Sequence, residues 1–175
     1  AYHYFVVEKE NICGMMDQVG KFHIPLNYES IAQFNDTLVS VSKNGQCALM
    51  THQGKLVLDF IPYNFRFISG NLLVVSNDQY KYGLISFTGD ILAPLIYSNI
   101  EVVQNGIFFK IFDGSKEGLM NAKGEVILAP VYQNVKYYSR DFFAVKKDDF
   151  YGFADSSGTL IVEHRYEKVK DVHGN

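Results

Sequence analysis

An all-β fold built from five repeats is what this sequence predicts, and three observations carry the prediction. The first is a set of markers in register. Gly14, Ala48, Gly83, Gly118 and Gly152 recur at spacings of 34, 35, 35 and 34 residues, and six residues after each comes Gly20, Gly54, Gly89, Gly124 or Gly158. Tyr28, Tyr63, Tyr97, Tyr132 and Tyr166 follow eight or nine residues later. Fixed periods of this length signal repeat architectures. The second is composition: 15 % aromatic, with 14 Phe, 12 Tyr and no Trp, alongside many β-branched residues. Such residues suit a pleated, half-buried surface. The third is that no segment keeps the i, i+3, i+4 apolar spacing of a helix over ten or more residues.

In chain order, residues 1–10 read as an N-terminal strand, and repeats follow at about 11–44, 45–79, 80–114, 115–148 and 149–175 of a single domain. Residues 83–118 show the unit best. Tyr82-Gly83-Leu84-Ile85-Ser86-Phe87 is short, apolar and extended. Thr88-Gly89 turns the chain, and Asp90-Ile91-Leu92-Ala93 returns it. Three residues after each first marker sit Asp17, Thr51, Ser86, Asn121 and Asp155, and each is three residues before the second-marker Gly. Their side chains accept hydrogen bonds from their own turn, and Gly tolerates positive φ, so a type I turn closed by a left-handed Gly is expected. This is a common β-hairpin connection, and it makes the two strands antiparallel neighbours. Pro25, Pro94 and Pro130 end the second strand, with Pro62 shifted, because Pro cannot donate to a ladder. After the repeat Tyr, an apolar residue three positions on (Ile31, Ile100, Val135, Val169) marks a third short stretch. The last strand is the most apolar, as in Ile107-Phe108-Phe109-Lys110-Ile111. Three or four short strands cannot bury their own apolar face, so neighbouring copies must stack. The stack forms either a propeller-like ring or an open β-superhelix. Tyr4–Lys9 matches Phe142–Lys147, the late strand of the fourth copy, and no such strand follows Tyr166. Pairing of residues 2–9 with the last copy would therefore close a ring.

A net charge of −3 argues against nucleic acid as a partner, since phosphate binding needs a basic surface. No apolar run approaches the ~20 residues of a spanning helix, so no membrane insertion is expected. Cys13 and Cys47 occupy one repeat position in neighbouring copies, further apart than the ~7 Å a disulfide allows, and are expected to be free and buried. His3, His23, His52, His164 and His173 lack metal-ligand spacing, and no metal or other cofactor is expected. Neither a phosphate loop nor a nucleophile elbow is present, so no catalytic residue is assigned.

At the two Gly markers, the Pro and the Tyr, the chain resembles the bacterial WG-repeat family, whose pattern runs Trp-Gly-(apolar)-Ile-Asp-x-x-Gly-x-(apolar)-(apolar)-x-Pro-x-x-Tyr. Residues 14–28 (GMMDQVGKFHIPLNY) and 118–132 (GLMNAKGEVILAPVY) carry it most fully. The departure is the first signature residue: Cys13, Cys47, Tyr82, Glu117 and Tyr151 stand where the family has Trp, and Ala48 replaces a Gly. The resemblance implies a β-repeat array, often attached to other modules, with no shared catalytic residues. It leaves open a cytoplasmic or a cell-surface segment of a longer bacterial protein.

Among surface candidates, the repeat Tyr residues read as structural, with hydroxyls tying adjacent copies. The aromatic cluster least bound to the repeat is Tyr137, Tyr138 and Arg140, with Phe65, Arg66 and Phe67 at a comparable place in copy two. Tyr and Arg are favoured interface anchors. The function expected is a non-catalytic binding or scaffolding module that presents a repeated β-surface to a protein or cell-surface ligand. The alternative is glycan-directed: a lectin-like module or a small propeller glycosidase.

Overall fold

The computed structural model describes residues 3–139 and 142–170, with the backbone alone at 67–69 and 105. Its strands are short and wholly antiparallel. The first sheet holds β1 (Tyr4–Lys9), β2 (Ile12–Asp17) and β3 (Phe22–Tyr28). The second holds β4 (Ser30–Gln33), β5 (Leu38–Lys43), β6 (Gln46–Thr51) and β7 (Leu56–Ile61). The third holds β8 (Asn64–Ser69), β9 (Leu72–Ser76), β10 (Tyr82–Ser86) and β11 (Ile91–Tyr97). The fourth holds β12 (Asn99–Val103), β13 (Phe108–Asp113), β14 (Lys116–Asn121) and β15 (Val126–Tyr132). The fifth holds β16 (Asn134–Ser139), β17 (Phe142–Lys147), β18 (Phe150–Ala154) and β19 (Leu160–Tyr166). Among the described residues the one helical element is a 3₁₀ turn at Gln104–Gly106. The chain divides into two compact units, residues 1–80 with 85–91 and residues 81–84 with 92–175.

The hairpin between the two Gly markers forms as its side chains dictate. Asp17 Oδ1 accepts from the amides of Val19 and Lys21, both at 3.0 Å. Asn121 Oδ1 does the same for Lys123 and Glu125, and Asp155 Oδ1 for Ser157 and Thr159. The hydroxyls of Ser86 and Thr51 take this place in their own copies. All five second-marker glycines hold φ between 80° and 89°.

The first-marker Gly answers to a different constraint. In three copies the signature residue opposes the repeat Tyr (Cys13↔Tyr28, Glu117↔Tyr132, Tyr151↔Tyr166), and the ladder to the last strand of the sheet bulges directly afterwards. The bulge lays backbone against the Gly: a Cβ on Gly118 would lie 2.5 Å from the Leu128 carbonyl oxygen and 2.7 Å from the Pro130 nitrogen. In the second copy Cys47 opposes Ile61 instead, so the bulge is one residue smaller. That copy is the one carrying Ala48 in place of Gly. Tyr63 consequently lies two residues past the end of β7 rather than opposite the signature residue.

The expectation that residues 2–9 complete the last copy is corrected. β1 pairs with β2 in unbroken register from Tyr4↔Asp17 to Lys9↔Ile12, and the fifth sheet has four strands of its own, ending in β19. The reason is local. Glu10 and Asn11 hold φ of 53° and 62°, the left-handed pair of a two-residue hairpin whose twist matches its strands.

Within each unit one sheet packs a face onto the next. In the first unit, Cys13, Met15 and Ile24 of the first sheet meet Ile31, Val39, Val41, Ala48 and Met50 of the second. In the second unit, Phe108, Leu119 and Leu128 of the fourth sheet meet Val135, Phe143, Val145 and Ala154 of the fifth. These are register-equivalent positions, so one stacking mode recurs. Here the leading face of a sheet means the face bearing Val39 or Phe143, and the trailing face the one bearing Met15 or Leu119. Rings seal the joints: Tyr28 stacks on Phe60, and Tyr132 on His164. Glu117, in the signature position, binds the Lys110 ammonium at 2.9 Å and accepts the Val135 amide at 2.7 Å. It thereby ties the fourth sheet to the first strand of the fifth. Cys13 and Cys47 are both free; Cys13 is buried and Cys47 half-buried, a partial departure from the expectation. Burial pushes the Cys47 thiol up from its ordinary pKa.

Four turn carboxylates titrate below the usual range, among them Asp149, held down first by its hydrogen bond with the Gln133 side chain. Asp17 is held down first by its hydrogen bond with His23, Asp90 by the Thr88 and Ser86 hydroxyls, and Asp155 by the Ser157 hydroxyl. A carboxylate whose folded pKa is depressed contributes stability that is present above the unfolded value of about 4 and lost as pH falls through the folded value. Thermal melts taken from about pH 6 to about pH 2.5 should therefore show a falling Tm below about pH 4. Asp155→Asn keeps the acceptor but not the titration, so its melting point should fall less steeply with acid than that of the parent.

Candidate functional site

Between stacked sheets, the first two strands of the following sheet border an open groove. In the second unit this groove encloses about 240 Å³ and is lined by Glu101, Lys110, Leu119, Lys136, Tyr137 and Phe143, among others. In the first unit the counterpart encloses about 320 Å³, lined by His3, Tyr4, Val6, Met15, Gln33, Asp36, Val39 and His52. Strand registers align the two: Val6 with Lys110, Met15 with Leu119, Gln33 with Tyr137, Val39 with Phe143. The floor stays apolar while the rim exchanges the imidazoles of His3 and His52 for the ammonium groups of Lys110 and Lys136; both rims carry one carboxylate, one amide and one phenol.

Tyr137 stands in the second groove, its ring edge-to-face on the buried Phe143 at 5.6 Å. The ladder shifts register just beyond it, between Tyr137 and Ser139. Such bulges re-aim side chains. Tyr138 does not line the groove; the Lys136 ammonium lies over its ring at 4.6 Å. Phe65 and Arg66 border a third recess of about 450 Å³ on β8 and β9, together with Asn64, Ser76, Asn77, Asp78 and Tyr80. Phe65 also meets Phe34 edge-on at 5.9 Å. Arg140 and the Phe67 side chain lie outside what the structure describes. Tyr137 and Tyr138 on β16, and Phe65 and Arg66 on β8, thus lie on first strands of their sheets, with Tyr137 lining one recess and Phe65 and Arg66 another.

A further cluster surrounds the groove of the first unit. The Tyr4 ring meets His23 edge-on at 5.3 Å and His52 at 5.2 Å, and its hydroxyl accepts from Gln53 at 3.2 Å. His23 in turn shares a 2.9 Å hydrogen bond with Asp17. His23 and His52 stand where the fourth copy carries Ile127 and Ala122, so departure from the repeat pattern was the available signal. No group of three or more metal-ligating side chains occurs among the described residues.

The family model described as WG containing repeat matches residues 118–149 and 151–175. No curated protein matches the chain. Among solved structures the chain is similar to a eukaryotic initiation factor, at 10 % identity over 98 % of this chain and 54 % of that one, with a TM-score of 0.52. It is also similar to Hsv2 of Kluyveromyces lactis (13 % identity, 88 % and 57 % covered, TM-score 0.44). A third is BamB of Moraxella catarrhalis (12 % identity, 89 % and 56 % covered, TM-score 0.40). The chain spans somewhat more than half the length of these structures, and the likeness is one of fold. Residues 118–149 and 151–175 thus match WG-containing repeats, and the earlier sheets reuse the same Asx or Ser/Thr hairpin and turn glycine.

Proposed function

We propose that the chain is a non-catalytic binding module that presents its inter-sheet grooves to a protein ligand. The observation that supports this reading is the pair of register-equivalent grooves with a common apolar floor and unlike rims. Structural positions repeat while exposed ones diverge, as expected where a scaffold is reused and its surface selected. Tyr137, held on Phe143 yet open to the groove, is the anchor of the second groove; Lys110, Lys136 and Glu101 supply charge around it. An extended peptide with an apolar side chain for the floor and an acidic residue for Lys136 fits this chemistry. Selection from a random peptide display library on the immobilised chain should enrich such peptides, and Tyr137→Ala should weaken them at least tenfold. Enriched peptides indifferent to Tyr137→Ala would defeat the assignment.

A glycan reading is favoured at one place only. The recess on β8 and β9 joins Asn64, Asn77 and Asp78 with Tyr80, whose ring is 73 % exposed. Amide, carboxylate and an open aromatic face suit a sugar. Binding on a glycan array that disappears with Tyr80→Ala would establish this second reading. A hydrolytic version needs two carboxylates within about 10 Å. Each recess has one among its described lining residues.

A further inference from the structure

We propose that the recess on β8 and β9 binds a neutral hexopyranose, with the Tyr80 ring as the platform for the sugar face and the Ser76 hydroxyl as a polar contact within. The proposal rests on the glycan reading of this recess and names the sugar class and the residues that select it. Every residue lining the recess belongs to the first unit.

Tyr80 stands where the chain's own turn chemistry takes Gly. Asn77 Oδ1 accepts the Gln79 amide at 3.0 Å, and the Tyr80 amide donates to the Asn77 carbonyl at 3.0 Å. The same two bonds tie Val19 and Gly20 to Asp17, and Ser157 and Gly158 to Asp155. Those repeat turns close on Gly at φ of 82° and 86°, whereas this one closes on Tyr at 55°. A bulky residue at positive φ is strained, and such strain collects at ligand sites. The ring is 73 % exposed and packs on no other ring among the described residues, so its presence there does little for the fold.

The chain around it departs from the pattern as well. Residues 77–81 connect β9 to β10, where the other four sheets use two-residue turns at 10–11, 44–45, 114–115 and 148–149. Ser76, just before this longer connection, is 2 % exposed, while its register equivalents Ser42, Phe112 and Lys146 are half-buried. The Ser42 hydroxyl bonds to Ser30 across the ladder at 2.7 Å. The Ser76 hydroxyl has no such partner among the described residues, and it lies on the wall of the recess. A hydroxyl donates and accepts, and the Asp78 carboxylate accepts from adjacent hydroxyls, which matches the polar edge of a pyranose. Its C–H face suits the open ring of Tyr80. Arg66 and Asp78 bring one charge of each sign, so an anionic sugar finds no net attraction.

The test is a titration of the chain with the methyl glycosides of glucose, galactose and mannose, and with methyl glucuronide as the anionic counterpart, followed by protein NMR shifts to millimolar concentration. At least one neutral glycoside should bind, and more tightly than the glucuronide. Tyr80→Gly restores the residue the turn otherwise uses, so Tm should be equal or higher while affinity falls about tenfold. Ser76→Ala should keep Tm and weaken binding by about three- to tenfold. Binding lost in Tyr80→Gly but unchanged in Ser76→Ala would leave the glycan reading standing and overturn this proposal, as would tightest binding of the glucuronide. A Tyr80→Gly chain melting well below the parent would show that the ring serves the fold and overturn it too. No binding of any glycoside would overturn the proposal and the glycan reading together.

Discussion

Gly124→Val should cost about 2–6 kcal/mol, a large share of the ~5–15 kcal/mol that holds a domain together. Two separate effects meet at this residue. Its φ of 85° lies in the left-handed region. A β-branched residue there is strained by about 1–3 kcal/mol. Its missing Cβ also leaves room for the Leu92 carbonyl. Side-chain atoms in that space force an overpacked shift costing about 1–3 kcal/mol. Gly20→Val separates the two, since Gly20 has a φ of 82° but no neighbour within 4 Å. Only the strain should remain. At about 2–4 °C per kcal/mol for a chain of this size, the two melting points should differ visibly. Equal losses would show that close approach between a turn and the preceding strand contributes nothing.

That pair of glycines also shows how far sequence carries. The hairpin's chemistry is confined to four consecutive residues: Asn121 or its counterpart, the two turn residues, and the Gly. All five hairpins were therefore legible. The bulge over Gly14, Gly118 and Gly152 was not, because its cause is backbone from the next strand rather than anything in the motif. The same blindness put Tyr63 in line with the other repeat Tyr residues, although its strand is a residue shorter in the bulge and ends at Ile61. For residues 2–9, resemblance to the fourth copy was real, but Glu10 and Asn11 form a tight turn that returns the strand onto its own neighbour.

The candidate sites were legible in proportion to how far they stay on one strand. Tyr137 and Phe65 lie on first strands and stood out as aromatics outside the repeat. The Tyr4, His23 and His52 cluster joins separate segments through side-chain contacts at no fixed spacing. No motif search for ligand pairs finds it. Comparing copies position by position does, because His23 stands where the other copies carry Val57, Leu92, Ile127 and Ile161.

Phe143→Ala should be the most damaging truncation in the second unit, at about 3–5 kcal/mol. The ring is fully buried, meets Phe108 edge-on at 5.1 Å and supports Tyr137 at 5.6 Å, so its loss leaves a cavity between two sheets and frees the groove's anchor. Stability and groove should fail together: the denaturant midpoint and the affinity for Tyr137-dependent peptides should both fall. Phe5→Ala removes the same ring from the same register position, but from a face half open to solvent, and in dilute solution it should cost less than about 1 kcal/mol. The contrast depends only on whether a trailing face lies against the ring. Equal costs at the two positions would show that burying the Phe143 ring against a neighbouring sheet contributes nothing.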